Sequence, residues 1–170
     1  MGVDMSLNRS IRWRGLDPVT LEHCHVISTA RDTRIRGTIV TPDYGLFYRI
    51  KLDDREHVRT VRLERTDGKV LELFSDGAGD WSDDRAEPLP DLRHCLDIDI
   101  WPTPFTNTFP MRRVPLSVGE RREFRMAWVF APDLTVQAQP QAYTRLAERL
   151  YRFESLDGSG FEVQLPVVAV

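Results

Sequence analysis

Cysteine, lysine and long apolar runs are scarce in this sequence, and each scarcity excludes something. Only two cysteines occur in 170 residues, Cys24 and Cys95. They lie far apart and in no CxxC pair, so no disulfide scaffold follows. They read as small buried apolar groups rather than as nucleophiles, and both thiols are expected to be reduced. No run approaches the ~18 apolar residues of a membrane span. The first fifteen residues, MGVDMSLNRSIRWRG, lack the apolar core of a signal peptide. The expectation is a soluble, cytoplasmic protein, not membrane-integral. Basic excess is also absent: Lys+Arg is 23 against Asp+Glu 26, for a net charge of −3. Nothing in that balance points to a nucleic-acid binder, which would show a basic excess or stripe, so no nucleic-acid partner is expected. Lys51 and Lys69 are the only lysines. Arginine pairs carboxylates and phosphates bidentately, but a GC-rich genome also supplies it by default. No GxSxG, P-loop or dinucleotide fingerprint occurs, and no cofactor is expected. A hydrolase would need a triad assembled from distant residues.

What is present is an ordinary globular composition, 41% hydrophobic and 29% charged. This length suits one domain with one sizeable core, residues 11–170, after a disordered N-terminus of residues 1–10. From Ile11 onward the dominant hydrophobic period is two, the mark of half-buried strands. Strands are predicted at 21–30, 34–40, 45–53, 58–65, 69–75, 96–101, 122–130 and 134–138. On residues 21–30, Glu22, Cys24 and Val26 share one face, with His23, His25 and Ile27 opposite. Leu46, Tyr48, Ile50 and Leu52 form another apolar face, as do Val61 and Leu63 with Arg59 in line. Gly37 marks a bulge or a close approach. Asp67-Gly68 is a hairpin turn. Asp76-Gly77-Ala78-Gly79-Asp80 is another turn, and it presents Trp81. Residues 141–155 fit helix or strand. The following turn and the alternating Phe161, Val163, Leu165 and Val167 favour strand, in a long hairpin.

One stretch concentrates specific residue types: 94–119, HCLDIDIWPTPFTNTFPMRRVPLSVG. It holds the only convincing helix, starting near Asn107 or Thr108 as cap and ending at Pro115. Asp97 and Asp99 have strand spacing and share a face with Trp101, their α-carbons ~7 Å apart. Two such carboxylates can take sugar hydroxyls, hold a cation or share acid–base work. A solvated face, or pairing to Arg112 and Arg113, is the plainer reading. Adjacent arginines diverge across a helix, so one faces inward. There it needs a partner, since an unpaired buried charge costs several kcal/mol. Glu22, Asp97, Asp99 or an anionic ligand qualify. Thr106, Asn107 and Thr108 can cap the helix or bind ligand oxygens. His23, His25 and His94 suggest a metal only weakly, because no third ligand stands at a recognised spacing.

At DIDIWPTPFTNTFPMRRVPLSVGE the chain resembles the putative glycolipid-binding protein family of bacteria. The resemblance extends to Trp13, Glu22, Tyr48-Arg49-Ile50, Gly77-Ala78-Gly79-Asp80-Trp81 and Leu89-Pro90-Asp91-Leu92. It continues through Ala131-Pro132-Asp133-Leu134, Gln141-Ala142-Tyr143-Thr144 and Tyr151-Arg152-Phe153-Glu154-Ser155, covering residues 11–168. It implies a mainly β fold, a spiral β-roll whose many-stranded antiparallel sheet wraps around a single short α-helix. It also implies a homodimer and a non-enzymatic function in binding a glycolipid or other amphiphile. Departures are His57, where an aromatic is expected, His94, where a glycine is expected, and an end at Val170 without a Tyr-Pro tail. On this basis Trp81 and Trp101 are candidates to stack on a sugar. Glu22, Asp97, Asp99 and Asn107 are candidates for its hydroxyls, Arg49, Arg112 or Arg113 for an anionic group, and Tyr143 is a further ligand-binding candidate. Phe124, Met126 and Trp128 can line an acyl channel, though core packing is the plainer role. The alternatives are a hydrolase-like enzyme using Asp97 or Asp99, and a dimeric scaffold whose polar cluster is purely structural.

Overall fold

In the computed structural model, residues 7–156 are described. Two sheets and one short helix make up the fold. The first sheet is a meander of seven antiparallel strands, each paired with its sequence neighbour. They are β1 (Leu7–Leu16), β2 (Val19–Ser28), β3 (Thr33–Val40), β4 (Gly45–Leu52), β5 (Val58–Arg65), β6 (Val70–Ser75) and β7 (Trp81–Ser82). Short connections favour this order, because a tight turn can join only antiparallel neighbours. The second sheet has β8 (Asp97–Trp101), β9 (Arg121–Phe130), β10 (Thr135–Ala147) and β11 (Leu150–Ser155), in the order β11-β10-β9-β8. The mainly β roll expected from the resemblance is therefore the fold observed.

One pair departs from the antiparallel rule. β8 and β9 run parallel, and a parallel pair needs a crossover. That crossover is the long connection carrying α1 (Thr108–Arg113). α1 ends where expected, before Pro115. Asn107 stands at its N-cap position but makes no capping bond with its side chain.

Period-two alternation places the faces as read. Glu22, Cys24 and Val26 are buried in β2, as are Leu46, Tyr48, Ile50 and Leu52 in β4. His23 and Ile27 are exposed on the opposite face, and His25 is partly so. This inner face and Ile98, Ile100, Ala127 and Val129 of the second sheet form one core, which Phe105 and Phe109 also enter. Arg59 departs from its expected inward row. The β4–β5 register shifts by one residue at Leu52, which opposes Val58. The bulge turns Arg59 outward, where its Nε donates to the Ser75 carbonyl at 3.0 Å.

Thr135–Ala147 is one long strand rather than a short strand and a separate segment. Strand was the correct reading of 141–155, but the hairpin turns at residues 148–149. The further hairpin partner expected at 161–168 lies outside the described residues. β1 begins at Leu7, inside the stretch read as disordered; residues 1–6 are outside the described set. His94 has φ 69°. Glycine reaches that left-handed backbone without strain and histidine does not, which is a physical reason for the glycine that the resemblance implies there.

Candidate ligand-binding site

Strand pairing sets the site. Asp97, Asp99 and Trp101 lie opposite Met126, Trp128 and Phe130. Gln137, Gln139 and Gln141 lie opposite Trp128, Met126 and Phe124. Directly paired residues share a sheet face, so all of these sit together, on the face turned away from the main core. The crossover lays Thr106 and Asn107 over them. Val114 and Phe124 close a second small core there with Met111, Leu116, Tyr143, Tyr151 and Phe153.

The polar groups on this face bond to one another. The Thr106 hydroxyl donates to Asp99 Oδ1 at 3.0 Å, and Gln141 Nε2 donates to Asp99 Oδ2 at 2.6 Å. Gln141 Nε2 also donates to Gln139 Oε1 at 3.1 Å. The Tyr143 hydroxyl donates to Asn107 Oδ1 at 2.6 Å and lies 3.2 Å from Gln141 Oε1. Thr106 further accepts the Ile100 backbone N–H at 3.0 Å, serving a donor of edge strand β8. Asp97, 1% exposed, takes Arg113 through both Nε and Nη2. Arg113 also lies 5.9 Å from the Phe124 ring centroid. Arg112 turns the other way and pairs with Glu56 in the β4–β5 loop. Burial pushes the Asp99 carboxyl up, against the lowering effect of its bonds from Gln141 and Thr106. Burial, then the charges of Asp99 and Asp97, holds Tyr143 in its phenol form.

Glu22 forms a separate buried node. Its Oε1 accepts the Tyr48 hydroxyl at 2.6 Å and the Thr103 hydroxyl at 2.7 Å. Thr103 belongs to the crossover, so this node ties the large sheet to the segment above the second one. The Tyr48 ring reaches Glu22 because Gly37 lies beneath it: a Cβ there would be 2.1–2.3 Å from the ring and its hydroxyl. Close approach is therefore what Gly37 supplies. Burial raises the Glu22 pKa above the ordinary carboxylate range, against the two hydrogen bonds. A carboxyl raised in the folded state favours folding while it is protonated in both states, and loses that advantage as pH rises toward its folded value. Glu22→Gln keeps an acceptor for both hydroxyls and removes the titration. Wild type and Glu22→Gln are expected to have similar urea midpoints near pH 4. Wild type should fall progressively behind as pH climbs to neutrality; parallel curves would refute the assignment.

Two of the ten candidates lie elsewhere. Arg49 is on the outer face of β4, beside Phe47. Trp81 is buried, its indole N–H donating to the Cys95 carbonyl at 2.7 Å. Glu22, Asp97, Asp99, Trp101, Asn107, Arg112, Arg113 and Tyr143 gather around the crossover, in the nodes just described. Sequence reasoning missed Gln139 and Gln141, though QAQPQAY spells the alternation that puts Gln137, Gln139, Gln141 and Tyr143 in one row. It also missed the half-buried Phe130 beside Trp101, and Glu56, which no local pattern marks. Among the described residues no cluster of His, Cys, Asp and Glu could hold a metal ion. Burial pushes the thiols up to about 12 for Cys24 and about 11 for Cys95, which makes both poor nucleophiles.

The fold and this face define a β-roll with a hydrogen-bonded polar interior beside half-buried aromatics. The chain belongs to the family described as putative glycolipid-binding, whose profile matches residues 10–169. It is similar to the crystal structure of a DUF1089 family protein from Pseudomonas aeruginosa, with 38% identity and a TM-score of 0.74. That match covers 91% of this chain and 86% of the other. No curated protein matches. No helix among the described residues is long and apolar enough to cross a membrane.

Proposed function

We propose that this protein binds a glycolipid or a related amphiphile on the second sheet, without catalysing a reaction. One observation carries the reading. Trp101, Phe130 and Trp128 form a half-buried ladder, with ring centroids 5.5 and 5.6 Å apart. They share their sheet face with Asp99, Gln139 and the exposed Gln137. Aromatic faces beside amide and carboxyl groups suit an amphiphile, whose sugar or acyl chain stacks while its hydroxyls hydrogen-bond. The ladder and Gln137 make the contact. Asp97, Asp99, Asn107, Tyr143, Arg112, Arg113 and Glu22 brace the platform, since their polar atoms already bond within the protein. Trp81 serves the fold. Family membership supports the ligand class, and the protein works as a homodimer in the bacterial cytoplasm.

Tryptophan fluorescence titration with a monoglycosyl diacylglycerol in detergent micelles tests this. A saturable change is expected for wild type, against empty micelles as reference. Trp128→Ala and Trp101→Ala should each weaken binding roughly tenfold while the protein still unfolds cooperatively. Equal response to glycolipid and empty micelles, or unchanged affinity in both variants, would overturn it.

A further inference from the structure

The outer face of the large sheet has a chemistry that the ligand site does not use. The registers place Arg12, Arg14, Arg34, Arg36, Arg49 and Lys51 on it. No outward position of β1 to β4 carries an acid, although the whole chain is net negative at −3. Asp32, at the β2–β3 turn, takes Arg34 at 3.0 Å and Lys51 at 3.7 Å. Arg36 and Arg49 have no ion-pair partner among the described residues, and they stand directly opposite each other. The row continues to Arg62 on β5, which is where acids appear, Glu64 and Glu72. Like charges directly opposite on a sheet destabilise it, so this face lacks an anion that the fold itself does not provide.

One end of the same face is apolar. Leu16 opposes Val19 across the first hairpin, and Leu21 opposes Val40. They are 82%, 54%, 57% and 54% exposed respectively. Four adjacent aliphatic side chains in water are a contact surface rather than a scattered surplus.

We propose that this face docks the protein peripherally on an anionic lipid bilayer. The arginines meet the headgroups, and the aliphatic end enters the boundary between headgroups and acyl chains. A nucleic acid would use the cations but leave the aliphatic end in water. A second copy in two-fold pairing would set this cationic face against itself. A bilayer complements both parts. The inference does not rest on the ligand reading, because the two surfaces belong to different sheets.

Co-sedimentation of the full chain with phosphatidylcholine vesicles, with and without phosphatidylglycerol, tests it. Binding is expected only with phosphatidylglycerol and should weaken with salt. Each surface cation contributes roughly fivefold to partitioning. Arg36→Glu/Arg49→Glu, reversing two charges and so changing the face by four units, should reduce binding by roughly several hundredfold. Arg12→Gln/Arg14→Gln tests the same face from another strand, with a smaller loss. Leu21→Ser/Val40→Ser should remove the part of the binding that resists salt. Thermal unfolding of each variant establishes that the fold is kept. Equal binding to both vesicle types, or folded charge variants that bind like wild type, would overturn the proposal. So would a protein that ignores vesicles but loses self-association or DNA binding when Arg36 and Arg49 are reversed.

Discussion

Gly37→Ala is expected to lower the free energy of unfolding by about 3 kcal/mol or more. An added Cβ would lie 2.1 Å from the Tyr48 ring carbon that bears the hydroxyl. The ring is fully buried, so it cannot swing aside into solvent. Moving it means displacing the core and drawing its hydroxyl away from Glu22, 2.6 Å distant. Two costs then add: overpacking, about 1–3 kcal/mol, and a weakened bond to a buried acid, about 1–3 kcal/mol. Sign makes the test sharp. Glycine in a strand is less favourable than alanine by about 0.5–1 kcal/mol, so without the ring contact the substitution would stabilise. A urea midpoint that rises in Gly37→Ala would show that the ring does not lie over residue 37. Tyr48→Phe should cost less, because the ring stays and Thr103 still bonds Glu22.

Arg113→Ala should cost about 3–5 kcal/mol, because it strands a buried carboxylate. Asp97 is 1% exposed and has the guanidinium as its charge partner. Replacing both partners, Asp97→Leu with Arg113→Met, should recover most of the loss, since a buried ion pair is often no better than an apolar pair of similar volume. The comparison pair is Arg122–Glu120, which is far more open to water; removing it should cost less than about 1 kcal/mol. Equal losses at both pairs, measured by urea unfolding, would show that Asp97 is reached by water after all. The contrast also separates support from ligand contact. Arg113→Ala should weaken glycolipid binding only as far as it loosens the sheet, whereas Trp128→Ala should act on binding with the fold intact.

Several features were legible from residues alone because they depend on neighbours in the chain. Alternation in 45–53 gave the buried face of β4, and Pro115 gave the end of α1. The spacing of Asp97, Asp99 and Trp101 gave their common face. The need of an inward arginine for a partner led to Asp97 as one of the candidates for Arg113. Other features depend on which strand lies beside which. The alternating glutamines of QAQPQAY stand in plain view, but nothing local says that they line up beside Asp99. Arg59 read as inward until a one-residue bulge between β4 and β5 turned it out. Glu56 became the partner of Arg112 only because a loop far away in the chain folds back over the helix.

The sequence by itself determined a mainly β chain, the faces of most strands and the place of the short helix α1. Periodicity and proline act over a few residues, so no distant contact is needed to read them. Only the tertiary structure decided that β8 and β9 run parallel, that the crossover between them roofs the polar row, and that cations of four strands share one outer face. Those outcomes rest on pairing register between distant segments, where shifting a strand by one residue exchanges its buried and exposed sides.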